Sequence, residues 1–262
     1  MTKELQKYLA RFKLPKDLQQ ILHEVPSVII PESRAELFGL GTGSEDQDYF
    51  EVAYQIPGLG RKVEATVARC KNGLAVNYTD EYMRRRDPDC MVIADEGETD
   101  KIRYVDRFQE DFAPLRQATF AWLKSQGALI FMPFMAGGEE FGYPGLLIAP
   151  ANAAFFAAAL ADLQQFIPKS ETPDKFEPKA IVYLAPPFRY THFDNKQVVV
   201  HNRLENMHEL FSYNLYPGPS AKKGIYGVLL NIGESENWIT LHGSTGRGIT
   251  PYENIFTIMH EG

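Results

Sequence analysis

The run Arg84, Arg85 and Arg86 is the first segment whose side chains could do chemistry, and it lies just before the apolar strand candidate at residues 90–95. An arginine side chain presents a planar fork of N–H donors that grips a carboxylate or a phosphate through two parallel hydrogen bonds. Arginines at the entrance of a strand therefore suit the capture of an anion. A solvated basic loop, with Asp87 and Asp89 as partners, is the simpler interpretation of this run alone.

The second segment runs from Tyr216 to Gly224 and contains the adjacent lysines Lys222 and Lys223 in a predicted turn rich in glycine and proline. Adjacent lysines in such a turn are usually exposed charge. If the turn is buried near a metal, however, neighbouring positive charge and loss of hydration both lower a lysine pKa, and the neutral amine can then bind the metal. The residues leave both interpretations open.

The third segment contains His242, which follows a predicted strand at residues 238–241 and opens a polar turn with Ser244 and Thr245. Imidazole is a common ligand of transition metals, and neighbouring hydroxyl groups can supply hydrogen bonds around such a site. A histidine at the end of a strand is also a common structural residue. The segment alone therefore does not choose between a metal ligand and a structural role.

The helices and strands that would position these segments follow from the hydrophobic periodicity. Residues 2–24 predict two short amphipathic helices split at Pro15, and helices are also predicted at residues 111–126 and in the alanine-rich run after residue 150. The alternating residues 64–70, the turn 71–73 and the residues 74–78 predict a β-hairpin or a meander.

Further strands are predicted at residues 90–95, 128–134, 145–150, 180–186, 197–202 and 254–262. Together the elements indicate an α/β fold of the mixed α+β kind, with a mixed sheet flanked by helices. The glycines of residues 39–43 predict a loop. Because no Lys-Ser or Lys-Thr follows them, they do not form a phosphate-binding P-loop.

The composition excludes several functions. A net charge of -7 argues against general nucleic-acid binding, which needs an excess of Lys and Arg on one face. The most apolar stretch, residues 146–163, is interrupted by Pro150, Asn152 and Asp162 and falls short of a membrane span. The first residues lack the apolar core of a signal peptide, and the 2 cysteines form no CxxC motif. We therefore expect a cytoplasmic protein with no nucleic-acid or membrane partner.

In order and spacing, the three segments resemble landmarks of the ATP-type phosphoenolpyruvate carboxykinases. In that family a Gly-Arg-Ser-Pro turn before a strand binds the substrate carboxylate, and Arg86 stands in the matching place. A later Tyr-Ala-Gly-Glu-Met-Lys-Lys-Gly segment is similar to residues 216–224, and a Leu-Pro-Met-His-Cys-Ser-Ala turn is similar to residues 239–245. The resemblance covers roughly residues 78–262, and it implies the fold of the family's amino-terminal domain.

The resemblance implies a role for each matching residue on the substrate side. Arg86 would hold the carboxylate of oxaloacetate or phosphoenolpyruvate, with Arg85 as the alternative in register, and Tyr216 would lie beside the substrate. Lys222 would face the phosphoryl and carboxylate oxygens. Because Ser-Ala replaces Glu-Met before Lys222, a different small carboxylate or a phosphorylated substrate is also open.

The resemblance also implies a metal and a nucleotide. Lys223 and His242 would bind Mn²⁺ or Mg²⁺, and Ser244 would support the nucleotide phosphates. Gly262 would be the first glycine of a GxxxxGK[ST] loop, which in the complete enzyme binds ATP or another nucleoside triphosphate. In that enzyme oxaloacetate loses CO₂, and the enolate attacks the γ-phosphate of the nucleotide.

The domain organisation implied by the resemblance is one amino-terminal substrate-binding domain over residues 1–262, with residues 1–24 as a helical cap. The carboxyl-terminal P-loop lobe would be absent, so we expect the isolated chain to be inactive. The alternative is a non-catalytic anion-binding or structural domain. Apolar surface left where the second lobe would dock would favour self-association in that case.

Overall fold

The computed structural model describes residues 2–43, 46–78, 90–138, 141–241 and 243–261. They form two compact units, Met1–Ile225 and Tyr226–Gly262. The single domain expected over residues 1–262 stays a prediction.

The first unit is a mixed α/β structure, as the sequence predicts. Its strands are β1 (Ser27–Ile29), β2 (Tyr49–Ile56), β3 (Gly60–Cys70), β4 (Gly73–Tyr78), β5 (Met91–Ile93), β6 (Ala128–Ala136), β7 (Tyr143–Pro150), β8 (Gln165–Phe166), β9 (Ala180–Leu184), β10 (Val199–Leu204) and β11 (Met207–Ser212). Its helices are α1 (Lys3–Leu9), α2 (Lys16–Glu24), α3 (Arg34–Gly41), α4 (Tyr104–Phe108), α5 (Phe112–Lys124), α6 (Ala154–Leu163) and α7 (Phe188–His192).

The main sheet has the strand order β1-β6-β7-β9-β11-β10-β5, and β8 pairs with β6. The neighbouring strands β7, β9 and β11 are parallel, whereas β10 runs antiparallel to β11. Apolar runs form β6 and β7 because both faces of the sheet are covered. Phe131 and Ile148 belong to the core that α1, α2, α4 and α5 share with the sheet, and the alternate residues Ile130 and Leu147 are buried as well.

The predicted helices of the amino terminus are confirmed as α1 and α2. The hydroxyl of Thr2 accepts a hydrogen bond from the Leu5 N–H and so caps the first turn of α1. Beyond the helix end, Phe12 packs edge-to-face on Phe131 of β6, with ring centroids 4.8 Å apart. Leu18 of α2 is completely buried in the same core. The apolar faces of both helices are therefore built into the core of the first unit.

The predicted hairpin is confirmed in a second, antiparallel sheet of order β2-β3-β4. The loop predicted from the glycines of residues 39–43 is wrong, because Gly39 and Gly41 lie in α3. At Gly41 a β-carbon would come 3.4 Å from the Phe155 backbone and 2.6 Å from the Leu74 side chain. The missing side chain lets α3 approach α6 and β4 closely, so this glycine serves helix packing.

The second unit consists of most of helix α8 (Ile225–Glu236), whose first residue closes the first unit, and a hairpin of β12 (Gly243–Ile249) and β13 (Ile255–Glu261). The strand predicted at the end of the chain is thus confirmed. The strand predicted at residues 238–241 is wrong. The Trp238 N–H donates to the Gly233 carbonyl and the Thr240 hydroxyl donates to the Leu229 carbonyl, so this segment satisfies carbonyls of α8 instead.

No helix in the described part of the chain is both long enough and apolar enough to cross a lipid bilayer.

Candidate anion-binding site

The candidate site lies at one edge of the main sheet, where the parallel strands β7, β9 and β11 end. The chain continues from these strands into α6, into α7 and into the segment of Tyr216 and the lysines. Ligands of open α/β sheets commonly bind outside the carboxyl ends of the parallel strands. The predicted lysine segment is therefore positioned where this fold favours a ligand.

The lysine segment is a helix, and the predicted turn is wrong. Residues Gly218–Gly224 form a π-helix that continues directly into α8. π-Helices are rare and occur often at functional sites. Close packing explains part of this geometry, because a β-carbon at Gly224 would come 3.2 Å from Leu210 of β11. The inward positions of the π-helix are small residues, whereas the side chains of Lys222 and Lys223 are exposed.

Hydrogen bonds connect the buried side of the π-helix to the end of β11 and to the residue that follows α6. The Ser220 hydroxyl lies 3.1 Å from the hydroxyl of Ser212, the last residue of β11. The Gln164 side-chain amide donates to the Ala221 carbonyl at 3.0 Å. The two lysines thus extend from a backbone that is fixed at two points, which suits a preorganised site for a negatively charged ligand.

Tyr216 presents an exposed aromatic ring directly before the π-helix, with 45% of the residue accessible. The ring of Tyr78, the last residue of β4, meets it edge-to-face, with centroids 5.5 Å apart and planes at 87°. The Tyr78 hydroxyl donates to the Leu215 carbonyl at 3.4 Å. Burial raises the pKa of the Tyr78 phenol above its ordinary value, and Tyr216 adds to the shift, so Tyr78 stays neutral.

The predicted arginines Arg85 and Arg86 lie outside the described residues, but the residues on both sides of residues 79–89 are described. Tyr78 enters this segment beside Tyr216. At the other end, the Cys90 carbonyl accepts a hydrogen bond from the Val199 N–H at 2.8 Å. Val199 pairs with Ser212, the last residue of β11, so the described residues Tyr78 and Cys90 both lie near the end of that strand.

The metal and nucleotide residues expected from the resemblance stay predictions. His242 and Gly262 lie outside the described residues. Ser244 lies in the second unit, where it pairs with His260 in the β12–β13 hairpin. Among the described residues, no group of three or more histidine, cysteine or acidic side chains is arranged to hold a metal ion. The proposal that Lys223 and His242 bind the same metal ion therefore rests on the resemblance alone.

A buried ion pair that sequence reasoning missed connects the small sheet to the candidate edge. Arg189 of α7 and Glu64 of β3 are both completely buried, with Arg189 Nε donating to Glu64 Oε2 at 3.0 Å. Arg189 also donates to the Asn195 carbonyl and to the Tyr190 hydroxyl. Its guanidinium is satisfied by protein groups, so we assign it to holding the two sheets together.

A β-bulge explains why Glu64 faces inward. Val52 pairs with Ala65 and Ala53 pairs with Val63, so Glu64 is the extra residue of β3. A bulge breaks the two-residue alternation and redirects a side chain. Both Glu64 and Ala65 are buried as a result. The sequence pattern contains no signal for the bulge, since a strictly alternating strand would place Glu64 and Ala65 on opposite faces.

A histidine pair was also missed. His201 Nε2 lies 2.8 Å from His208 Nδ1, and His201 is almost completely buried. Burial lowers the pKa of His201 to about 3 and that of His208 to about 4. His208 lies two residues from Leu210, the partner of His201 in the β10–β11 pairing. Assigning residues 199–212 to one hairpin would therefore have brought the two side chains together.

Comparison with known proteins gives a family and no described activity. No curated protein matches the chain. The model of the family described as "Domain of unknown function (DUF4914)" matches residues 14–262. The match spans the main sheet, the small sheet, the lysine segment and the β12–β13 hairpin. The chain therefore belongs to the DUF4914 family.

Proposed function

We propose that this chain binds a small carboxylate at the end of β11, as the carboxylate-binding part of a phosphoenolpyruvate-carboxykinase-like enzyme. The observation that supports the proposal best is the arrangement of Tyr216, Lys222 and Lys223. They lie on one short segment at the carboxyl edge of the parallel strands, and the Ser220 side chain of that segment hydrogen-bonds to Ser212 of β11. The resemblance to the carboxykinases supports the same residues independently, from order and spacing.

Two adjacent ammonium groups suit a ligand that has more than one anionic oxygen. Hydrogen bonds to charged groups contribute roughly 1.5–3 kcal/mol each. Two such contacts therefore contribute roughly 3–6 kcal/mol, which corresponds to a dissociation constant between the millimolar range and tens of micromolar. In the proposed reaction, the bond between the carboxylate carbon and its neighbour breaks and CO₂ leaves. The electron pair that remains forms an enolate, whose oxygen attacks the γ-phosphorus of a nucleoside triphosphate; the bond from that phosphorus to the bridging oxygen breaks, and the nucleoside diphosphate leaves. The lysines would balance the negative charge of the enolate.

One observation favours the simpler alternative of a non-catalytic anion-binding domain. The side chains of Lys222 and Lys223 are exposed, so water reaches both of them in this arrangement. Catalytic electrostatics are strongest where water is excluded. An exposed lysine pair is sufficient for binding an anion but does not by itself provide a dry catalytic site.

Calorimetric titration with oxalate tests the proposal, because oxalate is a planar dicarboxylate that resembles the enolate of pyruvate. The double variant Lys222→Ala/Lys223→Ala should lose at least about tenfold in affinity, since two charge-assisted contacts disappear. The matched control is Lys175→Ala, which removes an exposed lysine from a loop elsewhere in the first unit. Equal affinity of both variants for oxalate would contradict the assignment of the site.

The same titration in the presence of Mn²⁺ separates the two candidate functions. An affinity for oxalate that rises at least tenfold with Mn²⁺ supports the carboxykinase-like site, in which metal and carboxylate bind together. An affinity that does not change with Mn²⁺ supports the non-catalytic anion-binding domain. Both outcomes leave the location of the anion site at Lys222 and Lys223 intact.

We also propose that the protein works in the cytosol. Cys70 is exposed and forms no disulfide in the structure. An exposed unpaired thiol persists in a reducing compartment and is prone to oxidation outside it. Fractionation of cells with an antibody to the protein, compared with a cytosolic marker, tests this; recovery in an exported fraction would contradict it.

A further inference from the structure

We propose that Tyr78 and Gly218 are positioning residues that hold the ring of Tyr216 in one orientation for the ligand. This inference rests on the proposed function in one respect, namely that Tyr216 contacts the bound carboxylate. The orientation of the ring is a separate statement about the protein alone, and it can be measured without a ligand.

Tyr78 contacts Tyr216 in two ways. Its ring meets the Tyr216 ring edge-to-face at 5.5 Å, and its hydroxyl donates to the carbonyl of Leu215, the preceding residue. Tyr78 is in turn supported by Phe155 of α6, with ring centroids 6.1 Å apart. A perpendicular aromatic contact is favourable in a narrow range of geometries, so it restricts the rotation of the Tyr216 ring.

Gly218 leaves room for the Tyr216 ring in this orientation. A β-carbon at this position would lie 3.0 Å from Cε1, 3.5 Å from Cδ1 and 3.6 Å from Cζ of Tyr216. The absent side chain therefore leaves the space that the ring occupies across the start of the π-helix. The backbone of Gly218 is not in the left-handed region, so its conformation does not itself require glycine. The requirement for glycine here is steric, and it comes from the Tyr216 ring.

Restricting the exposed Tyr216 ring in advance raises its affinity for a ligand. A free surface tyrosine loses rotamer freedom when it binds a ligand, and immobilising a side chain lowers the affinity. A ring that is already held avoids this cost. Because 45% of Tyr216 remains accessible, the residue has free surface for a ligand.

The variants are chosen to move the ring with little effect on the fold. Gly218→Ala pushes the ring by a few tenths of an ångström, and its backbone accepts alanine. Gly127→Ala is the matched control, because a β-carbon at Gly127 meets nothing within 4 Å and its backbone also accepts alanine. Tyr78→Phe keeps the ring contact and removes the long hydrogen bond, whereas Tyr78→Leu removes the aromatic contact.

The first readout needs no ligand. The fluorine NMR signal of Tyr216, assigned in protein labelled with 3-fluorotyrosine by its loss in Tyr216→Phe, reports the surroundings of the ring. It should shift in Gly218→Ala and in Tyr78→Leu and stay in place in Gly127→Ala. Little change in Tyr78→Phe would show that the ring contact dominates. An unchanged signal in both Gly218→Ala and Tyr78→Leu would overturn the inference.

The second readout is the affinity for oxalate. Immobilising one side chain on binding lowers affinity by about 2- to 12-fold, so we expect a decrease of this size in Tyr78→Leu and near-normal binding in Tyr78→Phe. In a Tyr216→Ala background, Tyr78→Leu should cause no further loss, because Tyr78 acts through Tyr216. An equal loss in both backgrounds would overturn the positioning role. If oxalate does not bind to the wild type, the proposed function fails, and the NMR result alone decides whether Tyr78 and Gly218 hold the ring.

Discussion

The ion pair of Glu64 and Arg189 links the bulged strand of the small sheet to the edge that carries the candidate site. In the variant Arg189→Met the guanidinium is lost, while a long side chain still fills much of the space. The carboxylate of Glu64 then stays completely buried without the Arg189 guanidinium. Removing one member of a buried pair costs about 3–5 kcal/mol, so we expect the free energy of unfolding to fall by this amount.

The matched control is a pair of similar length in the same small sheet. Arg61 Nη2 lies 2.9 Å from Glu51 Oε2, close to the 3.0 Å between Arg189 and Glu64, but its side chains are 52% and 43% exposed. Exposed ion pairs contribute only about 0–1 kcal/mol. Arg61→Met should therefore change the free energy of unfolding by less than about 1 kcal/mol. The difference between the two variants isolates the effect of burial.

Urea unfolding followed by tryptophan fluorescence measures both variants, and the double variant Glu64→Leu/Arg189→Met identifies the cause. With no charge left in the site, the double variant should recover most of the loss, because buried pairs and apolar replacements are often similar in stability. A loss in Arg189→Met no larger than in Arg61→Met would refute the role of burial. A double variant as unstable as Arg189→Met would refute the unpaired carboxylate as the cause.

Two further predictions concern the main sheet. Burial keeps His201 and His208 neutral, with pKa values of about 3 and about 4 against an ordinary 6.5, so the unfolded chain binds more protons below pH 6.5. Their stabilisation is complete above pH 6.5 and falls by up to about 1.4 kcal/mol per histidine for each pH unit toward pH 4. His201→Gln/His208→Gln should flatten this slope in urea unfolding at pH 4.5–6, and an unchanged slope would contradict the effect. Arg116 donates two hydrogen bonds to the buried carboxylate of Glu209. We therefore expect Arg116→Met to lower the free energy of unfolding by about 3 kcal/mol, far more than Arg61→Met. Equal melting curves of these two variants would show that the contact adds no stability.

Local patterns in the sequence were sufficient for most of the secondary structure. The apolar runs of β6 and β7, the alternation on either side of the turn at residues 71–73 and the periodicity of α5 predict these elements correctly. In each case the signal lies within the element, because burial on one face or on both imposes a regular spacing on the residues.

The features that were missed depend on contacts outside the local pattern of a single element. Glu64 and Arg189 are separated by 125 positions, and neither the bulge that turns Glu64 inward nor its partner is visible in the local pattern. The π-helix at Gly218–Gly224 depends on close packing against Leu210 and on Ser212. Glycine and proline in that segment favour a turn locally, and tertiary packing overrides this preference.

The candidate site shows the same division. The residue types and spacing of Tyr216, Lys222 and Lys223 identified the segment from the sequence. Tyr78 was missed because it is simply the last residue of a hairpin strand, and its contact with Tyr216 exists only after the small sheet has packed near α6. A sequence can thus indicate which residues bind, whereas the residues that orient them depend on the assembled fold.

The most direct measurement of the central claim is a crystal structure of the protein with oxalate. We predict density for oxalate beside the Tyr216 ring, with its oxygens within hydrogen-bonding distance of the amines of Lys222 and Lys223. Oxalate bound elsewhere, with these three side chains in contact only with solvent, would contradict the claim that the end of β11 is the anion-binding site of this protein.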